Sequence, residues 1–235
     1  RPGPPQRRVP STLGQQAHAS HKTMAIDNTV LHCLVLHEQP QMYRTLVDEH
    51  DANPWASNLY GDTPLHRAVE NSRLLTVTEL LRHGANFDRP NKKGDTPLHL
   101  AAAVGQVSLV RALLSAGAVA LNYNMAGYAP IHTAIEFGQR KALEALISFH
   151  TNRRLPYQTL TVQKSNDTPL HVCARALRMN DFQWMVEYGG FSAGLVMKNV
   201  YNQDTLKLIK EGKKLLKKMQ GYAKRAQKNI TKNLL

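Results

Sequence analysis

Cysteine is nearly absent: Cys33 and Cys173 are the only two in 235 residues. That excludes a disulfide framework and a four-cysteine zinc site, and a reducing intracellular compartment is the simplest setting. No uninterrupted apolar run approaches the roughly 18 residues of a membrane-spanning helix. The opening stretch RPGPPQRRVPSTLGQQAHASHK has no apolar h-region, so no secretory signal is expected. The chain also lacks a P-loop, a GxSxG elbow, an HExxH pair and a Rossmann glycine pattern. Without these, no catalytic residue, metal or cofactor is expected, and the chain reads as a non-enzyme.

Acidic residues are scarce at both ends. Residues 1–25 hold four basic and no acidic side chains, and residues 198–235 hold eleven basic against two acidic. Fifteen of each sign remain between them, so the net charge of +13 belongs to the termini. A nucleic-acid or acidic-surface role would therefore sit in the ends and not in the body.

What is present is a repeat. Asp62-Thr63-Pro64-Leu65-His66, Asp95-Thr96-Pro97-Leu98-His99 and Asp167-Thr168-Pro169-Leu170-His171 share one pattern, with weaker copies at 28–32 and 128–132. The threonine position falls at 29, 63, 96, 129 and 168, steps of 34, 33, 33 and 39 residues. Thr before Pro places a hydroxyl at a helix N-cap and a fixed φ at N1, where no donor is lost. An apolar run such as 107–114 follows at helical spacing and ends at Gly117, as an earlier run ends at Gly84. Polar segments such as 91–95 turn the chain into the next copy. Each unit is thus two short antiparallel helices and a turn, too small to bury its apolar face alone, so units must stack.

The T-P-L-H core and the G-A segment one helix pair later (Gly84-Ala85, Gly117-Ala118) resemble the ankyrin repeat family. The resemblance implies an all-α solenoid of about five repeats with a degenerate helical C-terminal cap. It divides the chain into a basic Pro-rich tail expected to be disordered (1–24), the repeats (25–199) and a basic helical cap (200–235). The first copy, with Val30 in place of Pro, suits an N-terminal cap. The fourth unit gains about six residues around 151–157, expected as a longer hairpin or loop. Beyond Gly190 the motif decays to Asp204-Thr205. The terminal helices should then bury a stripe of Leu208, Leu215, Met219, Tyr222, Ala226 and Ile230.

In this family the motif histidine bridges neighbouring repeats by hydrogen bonding. His32, His66, His99, His132 and His171 are therefore expected to be structural, one repeat apart and not at the i, i+4 spacing of metal ligands. Cys33 and Cys173 fall where small side chains pack on inner helices. The resemblance also implies a partner surface, built from hairpin tips and from the two positions after the inner-helix alanines. Carried onto this chain, it contains Tyr60, Lys92, Lys93, Val104, Met125, Tyr128, Glu136, Phe137 and Arg175. Exposed aromatics there would concentrate binding energy.

The leading expectation is a monomeric, non-enzymatic module that binds another protein through this groove and these tips, in the cytoplasm or nucleus. A second reading takes the Arg1-Pro2-Gly3-Pro4-Pro5 start as a linker, and the chain as the targeting region of a larger enzyme or of an effector secreted into a host cell. A third, weaker one gives nucleic acid or another acidic surface to the C-terminal lysines, centred on Lys213, Lys214, Lys217 and Lys218.

Overall fold

Each T-P-L-H segment starts a helix. In the computed structural model, residues 29–36, 40–50, 52–53, 55–152, 160–187, 198–205, 207–214 and 217 are described. They form only helices, turns and irregular segments. The segments 1–28, 153–159, 188–197 and 218–235 lie outside the described residues, and with them the expected tail and most of the expected terminal stripe.

The chain divides into two units, residues 1–86 and 87–235. In the first, α1 (Val30–Leu36) packs on α2 (Pro40–Asp48) and on α3 (Pro64–Glu70), and α4 (Leu74–Arg82) packs on α3 and α2. In the second, α5 (Pro97–Val104), α7 (Pro130–Glu136) and α9 (Pro169–Arg175) pack in an inner row. Behind them, α6 (Val107–Ala116) packs on α8 (Arg140–Asn152), and α10 (Met179–Glu187) pairs with α9. Where α8 and α10 approach, the Arg140 guanidinium lies 5.0 Å over the Trp184 ring.

The repeat chemistry explains these elements. Thr63 and Thr168 adopt extended backbone angles and accept the N–H of His66 and His171 through their hydroxyls. The histidine occupies the place that Glu or Gln takes in an ordinary capping box, its Nδ1 accepting the backbone N–H of the N-cap residue. That bond measures 3.1 Å at Thr63, 3.2 Å at Thr96 and 3.2 Å at Thr168. Ala129 has no hydroxyl, yet its N–H still donates to His132 Nδ1 at 3.2 Å. The leucine or isoleucine that follows the proline is buried at every copy: Leu65, Leu98, Ile131 and Leu170. Gly84 and Gly117, both with positive φ, stand after α4 and α6.

Two expectations shift. The added residues of the fourth unit in part lengthen its outer helix: α8 runs 13 residues against 10 for α6. The hairpin there is also longer by one, closing Val162 N–H on Asp167 O where the preceding one closes Asn124 N–H on Tyr128 O. The C-terminal frame moves too. Asn199 N–H donates to Gln203 O, as Asn58 N–H donates to Asp62 O, so Asp204 stands in the threonine position. Its carboxylate caps the next helix by accepting Lys207 N–H at 2.7 Å. Residues 207–214 are helical, and there Thr205 and Ile209 are buried while the expected Leu208 is only half-buried. At the described residues the buried position is 209 and not 208, because hairpin closure puts Asp204, not Thr205, in the threonine position.

Since Nδ1 accepts a backbone N–H, the neutral histidine carries its proton on Nε2 and donates it onward. His32 donates to Asp62 O (2.8 Å), His99 to Tyr128 O (2.9 Å) and His171 to Gln203 O (3.0 Å), each the carbonyl just before the next helix N-cap. His132 differs: its Nε2 has no well-formed partner, although the Leu160 carbonyl eases its burial. Burial holds His32 and His99 below the ordinary histidine range and pushes His132 down to about 4.

An unfolded His132 would bind its proton near pH 6.5, the folded one only near 4. Its contribution is therefore complete above about pH 6.5 and is lost as the pH falls toward 4. His132 alone should remove about 2–3 kcal/mol of stability between roughly pH 7 and pH 4.5. Urea unfolding at both values checks this. A His132→Gln variant should show a smaller drop than wild type, and an equal drop contradicts the assignment.

Candidate partner-binding surface

The hairpins are built by asparagine. Asn58, Asn91, Asn124 and Asn199 each open a turn, and each Oδ1 accepts two backbone N–H groups, at positions +2 and +4. In the longer hairpin Val162 takes this place, and Asn166, with φ 55°, supplies the left-handed residue that Gly61, Gly94 and Gly127 supply in the first three, as Asn202 does in the last.

In the second unit neighbouring tips are bonded directly. Met125 N–H donates to Lys93 O (2.9 Å), Gln163 N–H to Gly127 O (3.1 Å) and Val200 N–H to Ser165 O (3.0 Å). Side chains repeat the link: Asn124 Nδ2 donates to Asp95 Oδ1 (2.7 Å) and Asn199 Nδ2 to Asp167 Oδ1 (2.9 Å). Buried Asp167 also accepts Ser165 Oγ (2.8 Å) and pairs with Arg175. Four tips therefore form one hydrogen-bonded ridge along this unit.

Between the ridge and the inner helices lies a concave pocket of about 480 Å³. It gathers Lys93, Tyr128, Glu136, Phe137 and Arg175 of the expected surface. Asp95, His99, Leu100, Ala103, Asn124, Ala126, Thr133, Val162, Lys164 and Ser165 complete the wall. Phe137, at the C-cap of α7, is 56% exposed. Tyr128 is half-buried, and its burial, with the charge of Glu136, raises its phenol above the ordinary range, so it stays a neutral donor.

The remaining expected residues stand elsewhere. Lys92 and Met125 are exposed on tips beside the pocket without lining it, and Val104 is half-buried at the end of α5. Tyr60 is exposed on its own tip in the first unit. Lys213, Lys214 and Lys217 are exposed on the last described helical residues and are not part of the pocket; Lys218 lies outside the described residues. Leu100, Asn124, Thr133 and Val162 escaped sequence reasoning. Only the asparagine carried a signal, recurring four residues before the hairpin's closing position.

Cys173 is buried, its thiol is pushed up to about 12 by burial, and Sγ donates to Arg178 O (3.2 Å). It is an inert packing residue. Cys33 is only half-buried. Among the described residues no group of three His, Cys, Asp or Glu side chains could hold a metal ion, and no helix is long and apolar enough to cross a membrane.

Helix pairs joined by asparagine-closed hairpins, with capping histidines that reach the following hairpin, define an all-helical repeat protein. A family model for ankyrin repeats, in three copies, matches residues 9–91 and 75–156. The chain belongs to the ankyrin repeat family. Its match begins within the segment set apart above as a tail and stops before the copy at Thr168, whose capping geometry is nonetheless the same. No curated protein matches the chain significantly. Ankyrin repeats are in general modules for protein–protein interaction, and their proteins are typically non-enzymatic.

Proposed function

We propose that the chain is a binding module that holds a segment of another protein in the concave pocket of its second unit and along the adjoining tips. The observation that carries this reading is the convergence of Tyr128, Phe137 and Arg175 on one concavity, with an exposed aromatic ring at its edge. Aromatic and arginine anchors at the centre of a pocket concentrate binding energy. A catalytic role has less support. Asp167 is committed to Asn199 and Arg175, His99 to capping and bridging, and the Cys173 thiol is held protonated.

Selection of the full chain against a phage-displayed library of random short peptides tests the reading. Selected peptides should lose about tenfold or more in affinity on Phe137→Ala, a loss typical of a binding anchor, while urea unfolding stays near wild type. Peptides that bind wild type and Phe137→Ala equally would remove the pocket from the function.

A further inference from the structure

Apart from Asp95 and buried Asp167, which close hairpins and link neighbouring tips, the turns of the ridge in the second unit are charged in one sense only. Its segments 91–94, 124–127, 163–166 and 198–202 contain Lys92, Lys93, Lys164 and Lys198 and no acidic residue. All four lysines are exposed, and no ion pair engages them among the described residues. Exposed apolar side chains accompany them: Met125 is 65% exposed between Lys93 and Lys164, and Val200 (59%) and Tyr201 (68%) follow Lys198. Because adjacent tips are bonded backbone to backbone, their order in space is their order in sequence. Lysine pair, methionine, two further lysines (Lys164 and Lys198), then valine and tyrosine follow one another along a single line.

We propose that this ridge docks an acidic protein segment in which carboxylates alternate with apolar side chains. The inference deepens the reading of the pocket as a protein site and rests on it, since Lys93, Ala126 and Lys164 belong both to the ridge and to the pocket wall. The lysines supply complementary charge, which fixes register and speeds encounter. The methionine, valine and tyrosine supply the apolar contacts that charge alone lacks.

A polyphosphate backbone is the poorer fit. Phosphate sites draw on backbone N–H groups free to converge on the anion, and most of those of the tips are already used. Lys93, Ala126 and Tyr201 N–H donate to their hairpin asparagines, and Met125 N–H to Lys93 O.

The test uses the same phage-displayed library on the full chain, with a single-stranded oligonucleotide and a DNA duplex as competing probes. Selected peptides should be enriched in Asp and Glu interspersed with apolar residues, and their affinity should fall as salt rises. A Lys92→Glu/Lys93→Glu/Lys164→Glu variant should bind them at least tenfold more weakly. Its urea unfolding should match wild type, because all three side chains are exposed. Met125→Ala/Tyr201→Ala should weaken binding without changing the salt dependence. Peptides without acidic enrichment that still require Phe137 would overturn this proposal and leave the pocket reading standing. Tighter binding of either nucleic acid than of any peptide, abolished by the charge reversals, would overturn both. Recovery of no peptide and no nucleic-acid binding would also overturn both.

Discussion

Leu98→Ala is expected to lower the unfolding free energy by about 2–5 kcal/mol, the range for truncating a fully buried leucine. Leu98 has no exposed surface, sits in the first turn of α5 right after the N1 proline, and belongs to the row in which α5 packs on α7. Its removal takes apolar contact from a helix of only eight residues, which has little stability without its neighbours. In a repeat array, loss at such an interface reaches the adjoining helix pair as well. Lys93→Ala, five residues earlier, removes an exposed side chain from a tip whose turn is closed by Asn91 and by backbone groups. It should cost less than about 0.5 kcal/mol, as ordinary surface changes do. Urea unfolding followed by circular dichroism compares them. A Leu98→Ala midpoint equal to wild type, or a larger loss from Lys93→Ala, would contradict the packing described here.

The helix starts were legible because they are local chemistry. A Thr-Pro pair fixes an N-cap and an N1 residue, and the apolar side chain next along must face inward, as Leu65, Leu98, Ile131 and Leu170 do. The bridging histidines were legible only through the family resemblance. The sequence alone does not say which carbonyl lies opposite Nε2, and at His132 none is well placed. The C-terminal offset shows where a motif misleads. Asp204-Thr205 repeats the letters of the motif, but hairpin closure is set by Asn199 and Gln203, two polar residues outside any apolar pattern.

The pocket was legible in its outline and not in its walls. Positions carried over from the family brought Lys93, Tyr128, Glu136, Phe137 and Arg175 together, because hairpin tips and inner-helix ends recur at fixed places in the repeat. Val104 and Met125 did not join them. Their side chains are placed by the local course of α5's last turn and of the tip, which repeat spacing does not encode. Val162 joined because the lengthened hairpin substitutes it for the asparagine found elsewhere.

Gly94→Ala should be among the most damaging single changes in the second unit, at about 3–5 kcal/mol, although the residue is at the surface and the change adds one methyl. Gly94 has φ 77°, a left-handed conformation that costs a residue with a Cβ about 1–2 kcal/mol. The added carbon would also stand 2.6 Å from Met125 N and 3.0 Å from Asn124 backbone atoms. Those atoms cannot swing aside as a side-chain end would. Asn124 is held by its turn and by Asp95, and Met125 N–H is bonded to Lys93 O. Relief requires the two tips to separate, which forfeits that bond, worth about 1 kcal/mol, and adds strain of the order seen for overpacked sites, about 1–3 kcal/mol. Gly84→Ala is the control. Its φ of 76° is nearly the same, but a Cβ there meets nothing within 4 Å, so only the conformational cost of about 1–2 kcal/mol applies. Urea unfolding of the two variants separates close approach from backbone conformation. Equal losses would mean that the hairpins of the second unit are not in the backbone contact on which the ridge depends. A larger loss for Gly94→Ala, with weaker binding of selected peptides where the chain stays folded, would tie the spacing of the tips to recognition.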